Sequence, residues 1–202
     1  MLFARFALPF LALAGSAFAH TPSTERSTHL SKRLSVGAEA SISTALTTAT
    51  TEIRAIGVEI KQVLEDVDVS NPTGVVSAVD ELLVEVHSSL TVLASACVSI
   101  TRRSLVERTI NINAVGQLVA DLLNTVIATL KPVQDLIATE PLLGPLLAPY
   151  LTPINVQLVI ILNGLLAAVA GLLNVVLGLL DVSVAPILRS LGFSPILSLL
   201  NL

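Results

Sequence analysis

From Pro141 to Leu180 the chain runs for 40 residues without one Asp, Glu, Lys or Arg. An uncharged run of that length has three physical outlets: burial against other protein, a lipid bilayer, or an interface. What precedes it is different. Of the 11 basic and 15 acidic residues, 23 lie between His20 and Glu140, and only Asp181 and Arg189 lie after it. The sequence therefore reads as a charged half followed by an almost uncharged one.

The first 19 residues are expected to be an export signal. Arg5 supplies a positive start, Phe6 to Ala14 an apolar centre, and Ala17-Phe18-Ala19 a small-residue cleavage site after Ala19. The run is shorter than a bilayer needs and is interrupted by Pro9. Residues 20–35 are rich in Ser and Thr and are expected to form a disordered tail. Lys32-Arg33 in that tail is a dibasic pair of the kind cut by secretory-pathway proteases, so Arg33 marks the end of a possible propeptide. Export usually brings disulfides, but Cys97 is the one cysteine, which excludes every disulfide scaffold. Its place on an apolar helical stripe predicts a buried small hydrophobe.

Residues 36–140 predict three amphipathic helices. The first carries Ile42, Leu46, Ala49, Ile53, Ile56, Ile60, Val63 and Val67, in alternating steps of four and three. The second repeats the spacing at Val76, Val79, Leu83, Val86, Leu90, Leu93, Cys97 and Ile100, after a stop at Ser70-Asn71-Pro72. The third, from near Ser104, runs through Val115, Leu118, Leu122, Val126, Leu130, Val133 and Ile137, with a kink expected at Pro132. Pro141, Pro145, Pro149 and Pro153 follow at every fourth position, and residues 141–153 are expected to be a hinge of broken helix, turn or extended chain.

Residues 154–202 predict a hydrophobic helical region built on three G-L-L repeats at Gly164, Gly171 and Gly178. Leu158, Leu162, Leu165, Val169, Leu172, Val176 and Leu179 form its broad aliphatic face, the candidate interaction surface. The expected fold is all-α, an antiparallel bundle of about four long helices with a very apolar C-terminal half.

Catalytic signals are close to nil. There is no G-x-S-x-G elbow and no metal-ligand cluster, and His87, Asp80 and Ser88 share one helix without forming a triad. The expectation is a protein that is not an enzyme and carries no cofactor. With 53% hydrophobic, 13% charged and 3% aromatic residues, no Trp and a net charge of −4, neither stacked-ring sugar platforms nor nucleic-acid binding is expected.

In layout the chain resembles the cysteine-poor secreted structural proteins of mushroom-forming fungi, hydrophilic in the N-terminal half and hydrophobic in the C-terminal half. That resemblance implies a secreted, extracellular or cell-wall protein, distinct from hydrophobins, that supports aerial hyphae and attachment to hydrophobic surfaces. It implies partners such as hydrophobic surfaces, wall matrix or further copies of itself, and no catalytic residues. Two alternatives remain at this level: a secreted helical carrier of a lipid or other apolar ligand, and a single-pass membrane anchor over residues 156–180.

Overall fold

The structure, a computed structural model, describes residues 38–67, 71–101 and 111–202. The signal, the tail, the processing residues Ala19, Lys32 and Arg33, and the expected helix start at Ser104 lie outside them. Among the described residues there are seven helices and no strand, so the fold is all-α.

Four of the helices are long: α1 (Ala38–Asp66), α2 (Pro72–Thr101), α3 (Ile112–Thr139) and α4 (Leu143–Ala168). Three short ones follow: α5 (Leu172–Leu179), α6 (Val184–Ser190) and α7 (Ser194–Leu200). Local chemistry explains the starts of α2 and α3. Asn71 Oδ1 accepts from Gly74 N at 3.2 Å, and Pro72 stands at the first helical position, where no N–H is required. Asn111 has extended backbone and accepts from Ala114 N at 3.2 Å. The Asn71-Pro72 pair that ends one helical pattern thus also begins the next.

The predicted stripes of α1, α2 and α3 point inward. From Ile42 to Ile60, from Val79 to Cys97 and from Val115 to Val133 every stripe residue is buried or packed on the core. α1 packs on both α2 and α3, and α2 also packs on α4. α3 and α4 touch each other only lightly, and the short helices fill that side: α5 and α6 against α3, and α7 against α4 and α6. α3 accordingly buries Val119, Ala120, Leu123 and Ile127 beyond its predicted stripe.

Two tight approaches lock α3 in place. A Cβ on Gly57 of α1 would stand 2.6 Å from Thr129 Oγ1, and that hydroxyl donates to the Ile53 carbonyl at 3.2 Å. A Cβ on Gly116 would stand 2.5 Å from Val175 Cγ1, so α5 closes on α3 through the missing side chain.

The C-terminal half departs from the sequence expectation in three ways. Residues 141–153, expected as a hinge of broken helix, turn or extended chain, are a short turn followed by the start of a continuous helix. Pro141 stands in the two-residue turn before α4, while Pro145, Pro149 and Pro153 lie inside that helix. Four-residue spacing puts these prolines along one side, and Pro145 and Pro149 face solvent. The carbonyls deprived of an N–H by Pro149 and Pro153 then belong to Pro145 and Pro149 on that outer side, open to solvent, and the helix persists. Pro132 likewise sits inside the continuous α3.

The second departure concerns residues 156–180, which are not one helix. α4 ends at Ala168, and Gly171 takes a left-handed φ of 84° before α5 begins. Third, the aliphatic face proposed for interaction is mostly core. Leu158, Leu162, Leu165, Val169, Leu172 and Val176 are all buried, and of the seven only Leu179 is exposed. Their four-three spacing is real, but it continues inward from Leu143, Leu147, Leu151 and Ile154 against α2 and the short helices.

Candidate functional site

With the inner stripe accounted for, the feature that needs a function is the outer side of α4. This helix contains no charged residue. Its outer line runs Leu146, Pro149, Pro153, Val156, Ile160, Asn163 and Ala167, again in steps of three and four. Leu146 is 47%, Val156 48% and Ile160 39% exposed, in positions where a soluble helix ordinarily carries Lys, Glu or Arg. A 26-residue helix is about 39 Å long, so this is an elongated strip and not a spot. Leu142 in the preceding turn and Val182 in the α5–α6 turn, the latter 94% exposed, add apolar surface at other points of the same half.

Among the described residues α4 is also one of three helices long and apolar enough to cross a membrane by length and composition, beside Pro72–Ser99 and Ile112–Thr139, and the bent pair α5–α6 would make a fourth span if counted as one. Within its most apolar window only 33% is buried inside the protein, the smallest share of the three.

The glycine line does not make a close-packed face. A Cβ placed on Gly164 or Gly178 would meet nothing within 4 Å. Cys97 is buried, and burial pushes its thiol up to about 12. His87 is half-buried on α2, where Thr91 Oγ1 lies 3.3 Å from its Nε2 and donates to its carbonyl at 2.8 Å. Among the described residues no three His, Cys, Asp or Glu come together in a way that could hold a metal.

Two concavities were not legible in the sequence. One, of about 400 Å³, opens between α1 and α3. Its α1 wall is basic, with Arg54 and Lys61, and its other wall acidic, with Asp121 and Asp181. Asn124 at its end donates to the Leu179 carbonyl and accepts from Asp181 N, both at 3.5 Å, tying the end of α5 to α3. The other concavity, of about 270 Å³, lies under the α6–α7 turn and has no charged lining.

Comparison with known proteins supplies no template: no family model matches the chain, and neither a curated protein nor a solved structure matches it.

Proposed function

We propose that this chain is a secreted structural, surface-active protein of the fungal cell wall and extracellular matrix. In this reading it supports aerial hyphae and attachment to hydrophobic surfaces, and it is not an enzyme. The export signal at residues 1–19 delivers it, with processing after Ala19 or after Lys32-Arg33. Its four long helices form an antiparallel bundle that holds the apolar strip in a fixed shape.

The observation that carries the reading is the uncharged outer face of α4, with Leu146, Val156 and Ile160 exposed on a helix that has no Asp, Glu, Lys, Arg or His. A strip about 39 Å by about 10 Å presents at most on the order of 400 Å², the size of the largest apolar patch on an ordinary monomer, which is often functional. At ~25 cal/mol per Å², covering it is worth about 10 kcal/mol before the losses of immobilisation. The charged outer residues of α1, among them Glu52, Arg54, Glu59, Lys61 and Glu65, keep the opposite part of the molecule hydrated.

The test is adsorption. The triple variant Leu146→Asp, Val156→Asp, Ile160→Asp alters only exposed positions, so its helical circular dichroism and melting should match the parent. On a quartz crystal microbalance with a methyl-terminated surface, the parent should form a wash-resistant layer and the variant should not. Equal layers from both proteins would overturn the reading. Recovery of the protein from cells with Met1 intact, instead of from medium or wall with His20 or Leu34 first, would overturn its export.

A further inference from the structure

The concavity between α1 and α3 is bounded by side chains of opposite sign that do not pair with one another. Arg54 and Lys61 stand on the α1 wall, and Asp121 of α3 and Asp181 of the α5–α6 turn stand on the other. All four are exposed, so a solute entering the groove reaches each of them. Among the described residues no ion pair joins the two walls. Asp181 is one of two charged residues after Glu140, and Asn124 fixes its backbone at this edge by accepting from its N–H at 3.5 Å. The floor adds an independent observation. Thr125 is only 8% exposed, and its hydroxyl makes no hydrogen bond among the described residues. Thr47, Thr50 and Thr51 on α1 and Thr139 on α3 each donate to the carbonyl four residues back, the usual local partner of a helical threonine. Thr129, the other hydroxyl of the floor, donates to the Ile53 carbonyl. Thr125 keeps its proton free, and its oxygen is not sealed from the groove: among the described residues the one fully enclosed side-chain N or O atom without a partner is Asn155 Oδ1.

The geometry points to a binding site for a small zwitterion, its anionic end toward Arg54 and Lys61, its cationic end toward Asp121 and Asp181, and the Thr125 hydroxyl bonding to it from the floor. A lone ion meets one attractive wall and one repulsive one. A dipolar solute lying across the groove meets two attractive walls. The volume of about 400 Å³ lies within the range of small-molecule sites and holds a solute of amino-acid size. 6-Aminohexanoate is a suitable probe, since its charges stand roughly 8 Å apart when extended, comparable with the about 8–10 Å between packed helix axes. A largely buried hydroxyl without a partner contributes little to folding, and a ligand that supplies the partner accounts for it. The same two charges occur on a phospholipid headgroup, and vesicles separate that source from a free solute. No residue lining the groove belongs to α4, so the failure of this assignment and that of the surface-active reading are distinguishable.

The experiment is titration of the full chain with 6-aminohexanoate, hexanoate and hexylamine at low ionic strength, read by amide chemical shifts. The expected result is saturable binding of 6-aminohexanoate at least tenfold tighter than of either single-charge analogue, with shifts centred on residues 54–61, 121–129 and 181. Added salt should weaken it. Asp121→Asn with Asp181→Asn should bring 6-aminohexanoate to within about twofold of hexanoate. Thr125→Val should weaken binding at least threefold while keeping the parent's melting temperature or raising it. The triple variant of the outer strip should bind the probe as the parent does. Displacement of the probe from that variant by phosphatidylethanolamine vesicles would assign the site to a zwitterionic headgroup, and its retention to a free solute. Equal affinity for the three probes, non-saturable shifts, or shifts confined to α4 would each overturn the assignment. So would unchanged affinity in Thr125→Val, or a tenfold preference kept by the doubly substituted protein. Should a variant not fold, the ratio among the three probes in the parent decides alone.

Discussion

Gly57→Ala provides a quantitative test of the way α1 meets α3. In an isolated helix this change is favourable by about 1 kcal/mol, because glycine is the poorer helix former. Here the new methyl would stand 2.6 Å from Thr129 Oγ1 and 3.3 Å from its Cβ. Thr129 has little freedom to retreat: it is 3% exposed, and its hydroxyl is bonded to the Ile53 carbonyl. Overpacking of this kind costs about 1–3 kcal/mol, so the net effect in the parent is a destabilisation of up to about 2 kcal/mol. Thr129→Ala alone removes one buried hydrogen bond and a few atoms, for a loss of about 1–2 kcal/mol. In that background the 2.6 Å contact is gone, and Gly57→Ala should be neutral or stabilising by up to about 1 kcal/mol. The double-mutant cycle therefore predicts a coupling of about 1–3 kcal/mol, favourable to the doubly substituted protein. Urea unfolding read by circular dichroism measures all four corners. Two substitutions that simply add, within about 0.5 kcal/mol, would refute the close approach.

The remaining expectations test the assignment of individual residues to core, cap and surface. Leu172→Ala, at a fully buried position, should cost about 2–5 kcal/mol of unfolding free energy, while Leu179→Ala at the exposed end of α5 should cost under about 1 kcal/mol. Asn111→Ala should destabilise the protein by about 0.5–2 kcal/mol through loss of the cap on α3, measurable as a lower urea midpoint. Cys97 should resist iodoacetamide at pH 8 in the native protein and react stoichiometrically in guanidinium, since its thiol is buried and held protonated by burial up to about 12. That raised folded-state value also gives a sign. The contribution is fully present below the ordinary thiol range near 9 and is lost as pH climbs toward 12, because only the unfolded chain releases the proton in that window. Cys97→Ala should flatten that alkaline fall.

The parts of the fold that were legible in the sequence are those where polar residues marked the outer face. In α1, Glu52, Arg54, Glu59, Lys61 and Glu65 fall off the stripe, so the steps from Ile42 to Ile60 could point only inward, and they do. The uncharged half gave no such contrast. On α4 the line Leu151, Ile154, Leu158, Ile161, Leu165 and the line Leu146, Pro149, Pro153, Val156, Ile160 have the same helical spacing and the same polarity. Only the first faces α2 and the core. The period was readable while the buried side was not, because period comes from the helix and burial comes from the partner. The four-residue proline spacing was misread for a related reason. It removes helix hydrogen bonds, which argues for a hinge, but within α4 it also keeps the prolines along one side, with Pro145 and Pro149 exposed to solvent, where the loss is tolerated.

The break at Gly171 shows where sequence repetition stops being informative. Gly164, Gly171 and Gly178 head three nearly identical G-L-L segments, yet only Gly171 takes positive φ. Nothing local distinguishes it. What differs lies on α3, where Gly116 leaves room for Val175 and Leu172, and α5 can seat those two residues only if the chain turns after Val169. A Cβ at Gly116 would bring Val175 Cγ1 to 2.5 Å, so Gly116→Leu should force α5 off α3 without touching the G-L-L repeats themselves. The expected consequence is a protein whose four long helices persist by circular dichroism while amide exchange accelerates across residues 172–190. Unchanged protection there would mean that the turn at Gly171 is set by its own segment, and that α3 merely accommodates it.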